Sequence, residues 1–185
     1  MRWLTLFLLL TACFAGGCAM SPDARARWVT DNGGIITGQQ DARAREIMSR
    51  LVAGLTGAPV HVQVLGTREL TAYSFPDGAL FVSRGLMEAA DNDEVAAAMA
   101  HELGHLISDG HLQGPAALHR KNENPDVEAR ADDVGCRVLQ MEGVPPRAMM
   151  RMLELVADRT CPGPCCNDLH VRIARLKTSL PAPSL

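Results

Sequence analysis

The sequence predicts an α+β fold that is rich in helix and contains a small antiparallel sheet. Beyond residue 40, apolar residues recur at helical spacing in several separate segments. Residues 60–64 alternate between apolar and polar, as a half-buried strand does, and two further apolar stretches follow. A chain of 185 residues that is 47% hydrophobic suits one globular domain, and a formal charge of -3 gives no basic footprint for nucleic acid.

Residues 1–18 have the features of an export signal of the lipoprotein type. Arg2 supplies a positive charge, and residues 3–10 form an apolar stretch too short to span a bilayer. Small residues lead to a cysteine at both Cys13 and Cys18, and we favour Cys18 because it leaves a signal of more usual length. We expect an exported protein, lipid-anchored in the bacterial outer membrane and facing the periplasm. An ordinary secretory signal is the alternative.

The remaining chain divides into a linker at 19–38, one domain at 39–180 and a tail at 181–185. A helix is expected from Asp41, with Ile47 and Leu51 on its apolar face. The strand at 60–64 turns His61 away from the core, so we interpret His61 as an exposed residue rather than a ligand. Apolar stretches at 72–75 and 79–82 flank Pro76-Asp77-Gly78, and this turn sequence predicts a hairpin.

Helices dominate the second half of the chain. Ser83 is the expected N-cap of a short helix, and Asp91 with Glu94 forms a capping box at the start of the central helix. The buried face of that helix is predicted to consist of Val95, Met99, Leu103 and Leu106. Asn124-Pro125 begins another helix as N-cap and first residue. Two more are expected at 147–159 and 169–180.

The central helix carries the sequence His101-Glu102-Leu103-Gly104-His105. Two histidines four residues apart lie on one helical face and can bind a single Zn²⁺. Glu102 projects about 100° further round the helix, where its carboxylate can act on a metal-bound water as a general base. An alanine-rich helix that carries two histidines by chance is the alternative for these five residues alone.

Glu128 and Asp132 lie four residues apart on the following helix. A solvated acidic face is the simple interpretation, but the small residues around them favour close contact with a neighbouring helix. Glu128 is our candidate for the third metal ligand, and Asp126 and Asp132 are the alternatives on chemistry alone. His111 and His119 fall in a polar connection and are interpreted as solvated loop histidines.

Export also affects how the cysteines are interpreted, because disulfides persist in oxidising compartments. Cys161, Cys165 and Cys166 are crowded into one loop, and Cys136 lies on the helix of Glu128. We expect at least one disulfide among these four, joining the 161–166 loop to Cys136.

Three stretches together, at 71–86, 92–105 and 128–132, resemble the zinc metallopeptidase family that includes the HtpX heat-shock protease, the CAAX prenyl endopeptidase and the periplasmic BepA-type proteases. The stretch 128–132 matches the family's Glu-x-x-Ala-Asp, and 71–86 matches its strand-turn-strand element. The chain departs from the family where Thr71 replaces an asparagine. Cys166 also stands where the family has a histidine, six residues before Arg172-Ile173.

The resemblance implies a zincin-like domain that binds one Zn²⁺ per chain through His101, His105 and Glu128, with water in the fourth position. Glu102 would be the general base, and Asp132 would fix the tautomer of a ligating histidine. An extended polypeptide substrate would pair with the strand at 79–82. The substrate-binding residues expected on this basis are Ala79, Leu80, Phe81, Val82, His170 and Arg172.

We therefore expect a zinc-dependent endopeptidase acting on exported or envelope proteins, with a role in protein quality control by family analogy. One alternative is a zinc-containing chaperone-like or binding module with little proteolysis. Another is a structural helix that binds no metal. His170 and Cys166 are also candidates to close the zinc site from the C-terminal segment.

Overall fold

The computed structural model describes residues 20–55, 59–108, 125–160 and 167–180. Helices surround a small sheet and supply most of the core. In chain order the elements are α1 Pro22–Asp31, β1 Ile35–Ile36, α2 Gln39–Leu51, β2 His61–Leu65, β3 Ala72–Ser74, β4 Ala79–Ser83, α3 Arg84–Ala89, α4 Asn92–Ser108, α5 Pro125–Met141, α6 Arg147–Thr160 and α7 Asn167–Ser179. The predicted α+β class is confirmed.

The sheet is mixed rather than purely antiparallel, and its strand order is β1-β2-β4-β3. From β2 the chain passes to the edge strand β3, turns back at Pro76-Asp77-Gly78 and inserts β4 between β2 and β3. β4 runs antiparallel to β3 and parallel to β2. Gly78 has a φ of +82°, which suits the predicted turn. His61 is exposed on β2, as expected.

Helix α1 is an element that the sequence analysis missed. Ser21 caps it through a hydrogen bond to the amide of Ala24, and Pro22 begins it. Trp28 packs edge-on against the rings of Tyr73, Phe75 and Phe81, with centroid distances of 5.1, 5.2 and 5.3 Å. The Ser-Pro pair is a helix-start signal that was present in the sequence, but residues 22–38 lack a clear apolar period.

Arg25 also joins α1 to the β3–β4 hairpin. Its guanidinium lies 4.4 Å from the centroid of Phe75 and pairs with the carboxylate of Asp77 in the turn. The ion pair lowers the pKa of Asp77 because the hydrogen bond to Arg25 outweighs the effect of burial. One face of the hairpin is thus covered by α1.

The opposite face of the sheet packs on the main core, which α4 crosses. The predicted capping box is present, since Glu94 N–H donates to Asp91 at 2.8 Å and Asp91 N–H donates to Glu94 at 3.0 Å. All four residues of the predicted stripe are at most 3% exposed. The structure describes α4 as far as Ser108.

Two glycines allow α4 and α5 to cross closely. A Cβ on Gly104 would fall on the backbone of Ala131, 2.9 Å from its carbonyl carbon. A Cβ on Gly135 would lie 2.9 Å from the carbonyl oxygen of Ala100. Each glycine thus receives the backbone of the other helix, and the alanines beside them keep the two axes near each other. This crossing brings the acidic positions of α5 against the histidines of α4.

The predicted disulfide to Cys136 is wrong, because Cys136 is a free, buried thiol in the structure. Its Sγ lies 3.9 Å from the carbonyl oxygen of Pro146, so the side chain is directed into the α5–α6 junction. Burial raises the pKa of this thiol to about 11 and keeps it protonated at neutral pH. Cys161, Cys165 and Cys166, like Cys13 and Cys18, lie outside the described residues.

Among the described helices, none combines the length and the apolar character needed to cross a bilayer.

Gly104→Ala is expected to lower the free energy of unfolding by about 1–3 kcal/mol, the usual cost of overpacking. The loss should occur although alanine favours a helix over glycine by up to about 1 kcal/mol. Gly54→Ala is the matched control, because its Cβ would meet only the ends of flexible side chains, the methyl of exposed Met141 at 2.9 Å and a carboxylate oxygen of Glu142 at 3.7 Å. Chemical denaturation measures both variants, and equal unfolding free energies would contradict the close crossing.

Candidate metal centre

His101 and His105 lie one turn apart on α4 and face the same side. Their rings meet edge-on with centroids 4.6 Å apart, and the two Nε2 atoms are separated by 3.1 Å. His101 is 8% exposed, while His105 is partly buried. Two lone-pair-bearing nitrogens held this close repel each other unless a proton or a cation lies between them. The geometry therefore requires a shared proton or a bound cation between the two rings.

Glu128 on α5 completes a group of three. Its two carboxylate oxygens lie 3.4 Å from Nε2 of His101 and 3.5 Å from Nε2 of His105. The ligand atoms of all three residues fall within 4.8 Å of one another, and this is the group among the described residues that could hold a metal ion. Ligands about 2.0–2.1 Å from a tetrahedral Zn²⁺ lie about 3.3 Å from each other. The three measured separations fit such a site.

Asp132, one turn beyond Glu128, is fully buried and contacts the other ring nitrogen of His101. Its Oδ1 lies 3.0 Å from Nδ1 of His101. A carboxylate can only accept here, so Nδ1 donates its proton to Asp132, and Nε2 is the ring nitrogen that faces Glu128 and His105. The structure thus places Asp132 where the sequence analysis expected it, behind a histidine rather than in the group of three.

Arg172 on α7 binds both acidic residues of α5. Its Nε and a terminal nitrogen donate to the two oxygens of Asp132 at 3.0 and 2.6 Å, and the other terminal nitrogen lies 2.9 Å from Glu128. Such a bidentate pair fixes the plane of the carboxylate. Arg172 is expected from the sequence to bind substrate. In the structure its side chain instead contacts Asp132 and Glu128 beside the candidate metal centre.

The charges of this cluster reinforce one another. Burial alone would raise the pKa of Asp132, but hydrogen bonds from His101 and Arg172 hold it well below its usual range. The pKa of Glu128 is lowered despite its burial, mainly by the hydrogen bond to His101. Burial lowers the pKa of His101, yet the bonds to Asp132 and Glu128 outweigh it and raise the pKa to about 9. Without a bound metal, the two anionic carboxylates therefore keep a proton on His101, and a metal cation would take the place of that proton.

Glu102 projects from α4 beside this group and is half-buried. Its Oε2 accepts a hydrogen bond of 2.7 Å from the hydroxyl of Ser74 on β3. Sequence reasoning identified Glu102 but not Ser74, because the contact joins residues 28 positions apart. In the sequence, Ser74 is distinguished only by its position in the strand-turn-strand stretch at 71–86.

The expected pairing of a substrate with 79–82 is wrong for the strand named. Ala79, Leu80, Phe81 and Val82 pair with β2, and the last three also pair with β3 on the other side. The carbonyl oxygen of Ala79 additionally accepts from the amide of Phe75. Both edges of β4 are therefore occupied, and β3 is the edge strand on this side of the sheet.

The structure does not bring His170 to the metal centre, since His170 is exposed near the start of α7. Asp126 is also exposed, in the first turn of α5. His111, His119 and Cys166 lie outside the described residues. Of the candidates for a third ligand that the structure describes, Glu128 is the one grouped with the two histidines.

The α4 residues of this site lie in a stretch of the chain that matches a known protein family. Residues 38–122, from the start of α2 past the end of α4, match the family described as Peptidase family M48. This stretch contains His101, Glu102 and His105. Glu128, Asp132 and Arg172 lie beyond it, so their place in the site is a finding of the structure.

Two relatives from Escherichia coli (strain K12) are similar over part of the chain. Metalloprotease LoiP is 31% identical over 71 residues, which cover 38% of this chain and 28% of that protein. Metalloprotease YcaL is 32% identical over 64 residues, which cover 35% of this chain and 25% of that protein. The similarity therefore spans about a quarter of the length of each relative.

His101→Ala and Glu128→Ala are expected to lose bound Zn²⁺, because each removes one of three converging ligand atoms. Asp132→Asn should weaken the affinity about 10–100-fold, the usual effect of changing a group that orients a ligand. Metal analysis after gel filtration and titration against a chelator measure both effects. His61→Ala and Asp158→Asn, which change exposed residues, are the matched controls. A larger loss in Asp132→Asn than in Glu128→Ala would exchange the two roles.

Proposed function

We propose that this chain, whose residues 38–122 match peptidase family M48, is a zinc-dependent endopeptidase with Glu102 as general base. The observation that carries the proposal is the group of His101, His105 and Glu128, whose ligand atoms lie within 4.8 Å of one another, with Glu102 adjacent in sequence to the first of them. In this proposal the three residues bind one Zn²⁺ per chain.

Zn²⁺ bound there would supply Lewis-acid chemistry, lowering the pKa of a water and polarising the scissile carbonyl. The chain itself would provide the proton transfers. Glu102 accepts the proton of the attacking water and then donates it to the leaving amine. Its half-buried carboxylate follows the ligand candidate His101 in sequence and does not belong to the group of three, which suits a base that must stay unligated.

Asp132 and Arg172 would hold the ligands in place for this chemistry. Asp132 keeps His101 in the tautomer whose Nε2 is free to coordinate, and the 2.9 Å contact of Arg172 restrains the Glu128 carboxylate. Because Asp132 and Arg172 are both largely buried, their pairing also joins α7 to the metal centre. Loss of either partner would remove a close counter-charge from the other in a buried environment.

The substrate is proposed to be an extended polypeptide that adds to β3 rather than to β4. β3 is the edge strand beside α4, and within the described residues no further strand pairs with its outer side. Backbone hydrogen bonds along a sheet edge hold an extended chain without reading most of its side chains. Such a peptide would lie along the strand that carries Ser74, next to Glu102.

The natural substrates are proposed to be exported or envelope proteins, with a role in protein quality control. The support is the predicted lipoprotein signal and the similarity to metalloproteases. In the same proposal, acylated Cys18 anchors the protein in the outer membrane facing the periplasm. α1 and β1 lie within the expected linker at 19–38 but belong to the domain, so the connection between the anchor and the domain would be the short segment from Cys18 to Ser21.

Glu102→Gln is expected to retain Zn²⁺ and to lower the peptidase rate by about 10²–10⁴-fold, because the amide cannot accept the proton of the water. The assay is digestion of casein or a fluorogenic peptide, with metal content measured on the same samples. Glu88→Gln, an exposed glutamate on α3, is the matched control. Zinc binding without any Glu102-dependent proteolysis would favour the binding-module alternative, and absence of zinc would remove the metal centre.

Cys18→Ala is expected to move the protein from the membrane fraction to the soluble periplasmic fraction, since the acyl chains would have no attachment point. Cys13→Ala is the matched control and should leave the distribution unchanged. Intact-mass spectrometry of membrane-extracted protein identifies the first residue and its acyl groups. A mature chain that begins at Cys13, or at a residue other than cysteine, would exclude this anchor.

A further inference from the structure

We propose that Ser74 is a positioning residue for Glu102, holding one carboxylate oxygen so that the other is directed at the attacking water. The inference rests on the proposed function, because it assigns a role toward the general base. It adds to that function a link between the substrate-binding edge of the sheet and the proton-transfer group.

The hydrogen bond itself is short and charge-assisted. The Ser74 hydroxyl donates to Oε2 of Glu102 at 2.7 Å, and both side chains are half-buried. Hydrogen bonds to ionised acceptors are about twice as strong as those between neutral groups. Since the serine proton is directed at Oε2, Oε1 is left to accept from another donor.

Ser74 occupies a position on β3 from which its side chain reaches α4. Side chains alternate along a strand, and Ser74 pairs with Leu80, which lies in the main core with α4. Tyr73, the preceding residue, packs instead against Trp28 of α1. Tyr73 and Phe75 therefore hold the strand from the α1 side while Ser74 is presented to Glu102.

A glutamate needs such a restraint because its side chain is long. Fixing a rotamer-rich side chain costs conformational entropy, and glutamate is among the side chains for which this cost is largest. With Oε2 held by the strand, the carboxylate has little freedom left, and this cost is met before substrate arrives. Reacting groups must be aligned closely, and a displacement of about 1 Å can lower a rate about 100-fold.

The strand that holds the base is also the strand proposed to receive the substrate. A peptide added to β3 would contact the backbone of the residue whose hydroxyl orients Glu102. The position of the scissile bond and the direction of the base would then be set by one element of the fold. Binding and proton transfer are coupled through a single rigid strand.

A direct role of Ser74 in binding substrate is the competing explanation, and kinetics separate the two. A positioning residue changes kcat, whereas a residue that contacts substrate equally in the ground and transition states changes KM. The experiment compares Ser74→Ala, which removes the hydroxyl, with Ser74→Thr, which retains it. Thr71→Val is the matched control, since its hydroxyl makes only a 3.5 Å contact with the carbonyl of Ala72.

Ser74→Ala is expected to lower kcat about 10–100-fold on a fluorogenic peptide while KM changes less than about threefold. Zinc content and melting temperature should match wild type. Ser74→Thr should restore kcat, and Thr71→Val should leave it unchanged. In a Glu102→Gln background, Ser74→Ala should cause no further loss, because residues that act as a unit are not additive.

A readout without metal or turnover completes the test. A crystal structure of metal-free Ser74→Ala should show the Glu102 carboxylate spread over more than one rotamer, against a single rotamer in metal-free wild type. Wild-type kcat in Ser74→Ala, or a change confined to KM, would overturn the inference while leaving the proposed function intact. A wild-type protein that lacks zinc or Glu102-dependent proteolysis would instead overturn the proposed function.

Discussion

The close crossing of α4 and α5 is the constraint on which the candidate site depends. The two histidines lie on α4 and the two carboxylates on α5, so the metal centre exists only where the helix axes approach. Gly104 receives the backbone of Ala131, and Gly135 receives that of Ala100. Side chains of ordinary size at these positions would separate the helices by more than the short reach of an imidazole and a glutamate. The smallest residue type on each helix is therefore a condition for metal binding.

Asp132 links this crossing to the rest of the helical layer. It is fully buried, contacts His101 on α4, and pairs with Arg172 on α7 through both oxygens. Arg175, one turn further along α7, approaches the same carboxylate at 3.5 Å and binds Asp133 at 2.7 Å. A buried carboxylate that is compensated on two sides is stable as an anion, and its low pKa reflects this. Through these contacts the carboxylate of Asp132 on α5 binds side chains of both α4 and α7.

The sheet contributes the other wall of the site through its strand order. Because β4 is inserted between β2 and β3, the hairpin presents β3 at the edge, with one face against α4 and the other against α1. Trp28 and Arg25 secure the α1 face through Tyr73, Phe75 and Asp77. A strand of three residues would be a weak edge alone, and the aromatic packing gives it a fixed position relative to Glu102.

The sequence predicted the elements of this fold well where local signals are strong. The capping box at Asp91 and Glu94, the turn at Pro76-Asp77-Gly78 and the apolar stripe of α4 act over a few residues, so their geometry follows from the local chain. The sequence missed α1, whose apolar residues are too few to give a helical period. It also could not give the parallel pairing of β2 with β4, which depends on how separate strands are ordered in space.

For the candidate site, the sequence by itself determined the chemistry of α4, since His101, Glu102 and His105 are related by one turn of a single helix. The acidic pair Glu128 and Asp132 was recognisable by its spacing, but only the tertiary structure decided that Glu128 groups with both histidines and Asp132 lies behind one. The same holds for Arg172 and Ser74, whose partners are 40 and 28 residues away. Spacing along a helix determines which side chains project from the same face of that helix. Contacts between separate elements depend on tertiary packing, which the local sequence does not specify.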